Sequence, residues 1–204
     1  MRNCLLLKLF LPLLLPGCIG ATSDVTSQGQ EHSQVVVVVP LDRPYTFTAP
    51  KNPEHGFGFL RGFVLSVHDG DTITVQLEDR KENVRLIGID APELHQAPWG
   101  KVSREALKAI VEGKQVRLET DVTVRDQYKR LLAYVYVGEM LVNLELVRQG
   151  QAVLYTVPPN VVHVEDYRKA EQEAREAGRG VWNQAQPLDV VPDCYRKRQK
   201  GGEC

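Results

Sequence analysis

FLRGFVLSVHDGDTITVQL, Phe59 to Leu77, holds two strand-length segments around one tight turn. Phe63, Leu65 and Val67 alternate with Gly62, Val64 and Ser66, so the first segment reads as a strand with one apolar face. His68-Asp69-Gly70 turns the chain, and Thr72 to Leu77 then alternates polar with apolar residues, as a half-buried strand does. Working outward, the charged turn Glu78 to Glu82 leads into a third strand, Asn83 to Ile89. Gly100 to Val111 sets Val102, Ala106, Ala109 and Ile110 at helical spacing, with Gly113 as a stop. Two more strands follow, Val116 to Thr120 and Leu131 to Val137. Asn143 reads as the N-cap of a helix Leu144 to Gln149 that ends at Gly150. A longer helix, Val161 to Ala177, carries Glu165/Lys169 and Glu171/Arg175 pairs on a solvated face and Tyr167, Ala170, Ala174 and Ala177 as its packing stripe. The order predicts an α+β, mainly β fold: a small closed barrel of five strands with three packed helices.

Across 204 residues the chain is 43% hydrophobic and carries a formal net charge of -1. The hydrophobic share is ordinary for a globular protein, and the length suits one domain with extensions. The charge excludes a polycation that coats nucleic acid through bulk attraction, so any such recognition must be local.

At the N-terminus Arg2 and Lys8 precede the apolar run Leu9 to Leu15, the pattern of a processing signal and too short for a permanent span. Leu15-Pro16-Gly17-Cys18 resembles the bacterial lipobox, with Cys18 as the lipidated residue, although Pro16 departs from that pattern. An ordinary cleaved secretory signal is the alternative, and either reading exports the protein, as a membrane-anchored envelope lipoprotein or as a secreted or periplasmic one. The expected organisation is a signal over 1–18, a flexible linker over 19–55, a folded domain over 56–182 and a tail over 183–204. Val35 to Val39 interrupt the linker as a strand-forming run. Cys194 and Cys204 remain as an even pair, expected to form a disulfide in an oxidising compartment, with two free thiols as the alternative. Between them Arg196-Lys197-Arg198-Gln199-Lys200 reads as a solvated run that can add unspecific phosphate contacts.

The chemistry is concentrated in Asp69-Gly70-Asp71-Thr72, Arg85, Asp90-Ala91-Pro92-Glu93 and Arg130. Clustered carboxylates bind a hard divalent cation through oxygen, while arginines present forked donors to a phosphate and to the charge it gains under attack. Singly, Asp-Gly-Asp is an ordinary turn and a lone arginine a surface charge; together they are what metal-dependent phosphodiester hydrolysis requires. His68, His95 and His163 lack metal-ligand spacing, and Trp99 and Trp182 read as packing residues.

HDGDT, VRLIGIDAPE, DQYKRLLAYVY, VNLELVRQGQA and RGVW, in this order between Phe59 and Trp182, resemble the staphylococcal nuclease (thermonuclease) family. The resemblance implies a five-stranded OB-fold barrel and a calcium-dependent endonuclease acting on DNA or RNA and leaving 3′-phosphate ends. It implies Ca2+ held by Asp71, Asp90 and the backbone carbonyl of Ala91, with Asp69 a nearby acid behind these ligands. Glu93 matches the carboxylate that orients or deprotonates the attacking water, and Arg85 and Arg130 match the arginines that grip the scissile phosphate. Tyr128 and Tyr155 match positions around the nucleotide. Two departures bear on binding: Gln127 stands where the family's type enzyme has a lysine, and Val157 where it has a tyrosine. A nucleic-acid or protein binding module on the same fold, without catalysis, is the other reading. No protein partner is implied, and a monomer is the expected state.

Overall fold

The computed structural model describes residues 59–204. The expected signal with Cys18, the linker and the Val35 to Val39 run lie outside the described residues. The strands are β1 Phe59–Val67, β2 Thr72–Gln76, β3 Lys81–Leu86 and the two-residue β4 Ile89–Asp90, followed by helix α1 Trp99–Val111. Then come β5 Gln115–Glu119, β6 Leu131–Val137, β7 Met140–Leu141, α2 Val142–Arg148, β8 Val153–Leu154, α3 Val164–Glu176 and α4 Pro192–Gln199. β1 pairs antiparallel with β2 on one side and β5 on the other, giving the order β3-β2-β1-β5-β6. A parallel pairing of β3 with β6, Arg85 opposite Leu132, joins the two outer strands and closes a five-stranded barrel. The expected α+β fold is what the chain adopts. β4 and β8 form a separate small sheet beside it.

The barrel is filled by branched and small apolar side chains, among them Ile73, Val75, Val84, Leu118, Ala133 and Val135. A register irregularity in β1 between Val64 and Ser66 changes the expected alternation. Val64 and Val67 face inward, while Phe63 and Leu65 are 49% and 42% exposed, because the irregularity shifts the pleat by one residue. The inner face of α1 matches the expected spacing only in part: Ala106 and Ile110 pack against the core, but the buried residues are Gly100, Ser103, Leu107 and Val111, and Val102 is exposed. Ser103 belongs inside because its hydroxyl donates to the carbonyl of Gln151 at 2.5 Å. Tyr167, Ala170 and Ala174 of α3 pack inward as read, with Ala177 exposed. Gly88 sits at φ +81, and a Cβ there would run into the Tyr167 ring, so both the turn and the packing require glycine.

Asn143 is not a helix cap. It lies within α2, is 0% exposed, accepts from the Val135 N–H at 2.9 Å and donates to the carbonyls of Ile87 at 2.9 Å and Ala133 at 3.3 Å. Its amide thus serves backbone groups at the barrel seam rather than those of its own helix. The third strand begins at Lys81, earlier than read, because Glu82 is turned inward to Arg125: Nη2 donates to Oε1 at 2.7 Å and Nη1 to Oε2 at 3.0 Å. These bonds, against burial and with help from Arg80, lower the Glu82 carboxyl from 4.5 to about 2. A carboxylate held below its unfolded value stabilises the fold above that value and loses this contribution as pH falls through the folded one. The melting temperature of wild type should therefore exceed that of Glu82→Gln above about pH 4.5, with the gap closing between pH 4.5 and about 2. A gap independent of pH over that interval would remove the charge from this account.

Candidate active site

The turn ahead of β2 is set by Asp69, whose Oδ1 accepts the Asp71 N–H at 3.0 Å, the local bond that Asx residues favour. Gly70 fits there because a Cβ would collide with those of Ala91 and Ser103. Asp71 is thereby turned inward to 6% exposure. Its Oδ1 accepts from the Thr72 hydroxyl at 3.0 Å, and its Oδ2 from the Ala91 N–H at 2.8 Å. Asp90, 0% exposed, is fixed by β4, where it pairs with Val153. Residues far apart in sequence meet at one point: Arg85 Nη2 stands 3.0 Å from Asp71 Oδ2 and 3.1 Å from Asp90 Oδ1. Arg85 Nη1 donates to the carbonyls of Leu86 at 2.6 Å and Ile89 at 2.8 Å, which aims the guanidinium.

Burial first, and then the charge of Asp71, raise the Asp69 carboxyl from 3.8 to about 6. Burial also raises that of Asp90, although Arg196 and Arg85 draw it down. Negative charge is thus crowded into a poorly solvated corner. Asp71 and Asp90 bring hard carboxylate oxygens to one point, a donor chemistry that fits Ca2+, while the Arg85 charge at the same point weighs against a second cation. Among the described residues no three His, Cys, Asp or Glu side chains stand close enough to enclose an ion.

A cleft of about 860 Å³ opens in front of this corner, lined by Asp69, Asp71, Arg85, Glu93, Tyr128, Arg130 and Tyr155. Asp90 and Ala91 lie behind its wall. Asp126 shapes the opposite side: it accepts the Tyr128 and Arg130 N–H groups at 2.9 Å each and the Arg130 Nε at 2.7 Å. Arg130 Nη1 reaches the Thr72 hydroxyl at 3.4 Å, and its guanidinium lies 5.4 Å from the centre of the Tyr128 ring. Gln127 and Val157 also line the cleft, so both departures from the expected pattern face the same space. Two histidines stand aside, His68 bonding the Thr74 hydroxyl at 2.6 Å and His163 packing edge-on to Tyr134, while His95 lines a small hollow with Glu93 and Arg196. Trp99 Nε1 donates to the Gln186 carbonyl at 3.1 Å, and Arg175 covers the Trp182 ring at 3.7 Å.

Residues 83–184, half of the 204-residue chain, match the family described as staphylococcal nuclease homologue. The chain belongs to the staphylococcal nuclease family. Arg85, Asp90, Glu93 and Arg130 fall within the matched stretch, and Asp69 and Asp71 just before it. The chain is 34% identical over 125 residues to the thermonuclease of Staphylococcus hyicus, covering 59% of this chain and 74% of that one. To the thermonuclease of Staphylococcus intermedius it is 36% identical over 124 residues, 58% of this chain and 74% of the other. An uncharacterized endonuclease of Haemophilus influenzae shares 37% over 138 residues, 67% and 73% of the two chains.

Sequence reasoning missed Arg196. The tail folds as α4 rather than remaining solvated, and Arg196 Nη1 donates to Asp90 Oδ1 and to Glu93 Oε1, each at 2.9 Å, while Nη2 donates to Asp90 Oδ2 at 2.9 Å. Burial opposes its charge, yet the bonds to Asp90 and Glu93 hold the guanidinium above its ordinary range. The one local sign was Pro192 with Asp193, a helix start, ahead of Cys194. Cys194 and Cys204 lie together as a disulfide.

Proposed function

We propose that the protein is a calcium-dependent endonuclease that hydrolyses phosphodiester bonds of DNA or RNA and leaves 3′-phosphate ends. The observation that carries this reading is the meeting of Asp71 and Asp90 on Arg85 at the floor of a cleft that also holds Glu93 and Arg130. The names thermonuclease and endonuclease among its relatives support the reaction class.

Asp71 and Asp90 would hold the cation, with the Ala91 carbonyl as the remaining protein donor and Asp69 as a neighbouring acid. The chemistry that a bound divalent cation supplies there is polarisation of a phosphate oxygen. Arg85 and Arg130 grip the scissile phosphate from two sides, and their fixed charge does most as negative charge develops in the transition state. Glu93 orients the attacking water and takes its proton on a carboxylate oxygen. Tyr128 and Tyr155 give flat faces and hydroxyls on which a base can rest without strict sequence choice. Gln127 brings no charge to a phosphate. Export, by lipidation at Cys18 or by ordinary signal cleavage, and a monomeric state complete the proposal; both rest on sequence.

The test is release of acid-soluble nucleotide from single-stranded DNA by the full chain. Release should require calcium, vanish with EDTA, and fall by roughly a hundredfold or more in Arg85→Ala, the cost typical of removing one preorganised positive group. A folded protein that binds DNA but releases nothing with calcium would favour the binding module instead.

A further inference from the structure

Arg196 holds the carboxylate proposed for the cation and the one proposed for the water at once. Asp90 has both oxygens taken: Oδ1 accepts from Arg85 Nη2 at 3.1 Å and Arg196 Nη1 at 2.9 Å, and Oδ2 from Arg196 Nη2 at 2.9 Å. The same Nη1 reaches Glu93 Oε1 at 2.9 Å. Paired, two-pronged bonds of this kind are the strong class of arginine contact, more so around a buried carboxylate. The guanidinium is also delivered by a built scaffold rather than by a loose end. Gln96 donates from Nε2 to the Val190 carbonyl at 2.8 Å and accepts the Glu93 N–H at 2.9 Å, which ties the tail to the loop that carries Glu93. Leu188 N–H bonds the Val181 carbonyl at 2.9 Å, and the Cys194 disulfide to Cys204 closes the end of the chain back on the start of α4. α4 lies beyond the family-matched residues 83–184, so this feature is not part of the matched domain.

We propose that Arg196 is an internal competitor for the divalent cation, one that adds to Arg85 in limiting how tightly the Asp71 and Asp90 pair takes it. This rests on the reading of Asp71 and Asp90 as the cation ligands. A unit positive charge bonded to both oxygens of Asp90 repels a second cation at close range, and in a poorly solvated corner that repulsion is weakly screened. A cation at Asp90 therefore competes with the guanidinium for these oxygens, and whatever its bonds lose is subtracted from the affinity. Away from Asp90 the guanidinium still has Glu93 at 2.9 Å and Asp193 at 3.7 Å as anionic neighbours, and it lines the cleft beside Lys197 and Lys200.

Calcium binding to the full chain, measured by calorimetry for wild type, Arg196→Ala and Arg196→Lys, tests this. Arg196→Ala should bind calcium about tenfold or more tightly, the effect expected from losing charge-assisted bonds that compete with the ligand. Arg196→Lys, which keeps the charge but not the two-pronged geometry, should fall between. Melting curves give a second signature. Without calcium Arg196→Ala should melt below wild type, because its acids lose a counter-charge; saturating calcium should narrow or reverse the difference. A residue that merely packed would lower both curves alike. Unchanged or weaker calcium affinity in Arg196→Ala, with wild type binding calcium, would overturn the competitor role and leave the proposed cation site standing. Calcium binding by none of the three folded proteins would overturn both.

Discussion

Glu93→Gln should slow turnover on single-stranded DNA by about 10²–10⁴-fold, the range general acid–base groups contribute, while changing substrate affinity far less. Gln keeps the length of the side chain and an oxygen for the Arg196 Nη1 bond, so the loop and α4 should stay in place. What is lost is charge and basicity at the one proposed group that accepts the proton of water. Glu93 also reaches the cleft from a loop held by Gln96 on both sides: Gln96 Oε1 takes the Glu93 N–H at 2.9 Å, and the Gln96 N–H donates to the Glu93 carbonyl at 2.7 Å. A side chain so mounted is preorganised for the task, and its replacement should appear in kcat rather than KM. Single-turnover kinetics with saturating DNA separate the two. Turnover within threefold of wild type would remove Glu93 from the chemical step.

Asn143→Ala should cost about 3 kcal/mol of stability or more in urea denaturation. The amide is fully buried and serves three backbone groups on two segments, the Val135 N–H and the carbonyls of Ile87 and Ala133. Ala133 keeps a second donor, the Ile87 N–H at 3.0 Å, and Ile87 keeps the Tyr167 hydroxyl at 3.4 Å, but the Val135 N–H loses the amide oxygen to which it donates at 2.9 Å. An unsatisfied buried group costs about 1–3 kcal/mol, and the vacated volume adds a cavity cost. A loss under 1 kcal/mol would mean that water or backbone shifts replace these bonds.

The same residue shows where sequence reading reaches and where it stops. An Asn ahead of an apolar run is a sound cap signal, yet its side chain answers to strands that the helix happens to meet, and no local pattern reports that. Strands β2, β5 and β6 were legible to within a residue or so because alternation over five or more positions leaves little choice of face. β4 and β8 were not, since two residues carry no period. In β1 the apolar face was misassigned because a one-residue irregularity is invisible to a count of alternating residues. The candidate acids and arginines were legible as motifs, and the fold gathers them from the turn ahead of β2, from β3, from β4 and the loop after it, and from the loop before β6. Arg196 was illegible for a plain reason: its partners Asp90 and Glu93 lie more than 100 residues away, and a basic run has no periodicity that distinguishes a partly buried, paired guanidinium from a solvated one.

The parallel seam between β3 and β6 has a consequence for the life of the unfinished chain. In an open sheet with order β3-β2-β1-β5-β6 the two outer strands stand four strand spacings apart, about 19 Å, with Arg85 at one margin and the Arg130 that precedes β6 at the other. Pairing of β3 with β6 is what brings the two arginines to one cleft. A molecule in which β3 and β6 have parted keeps every candidate group and lacks their constellation. For a protein proposed to cut nucleic acid, that makes completion of the barrel a safety catch for the cell that makes it.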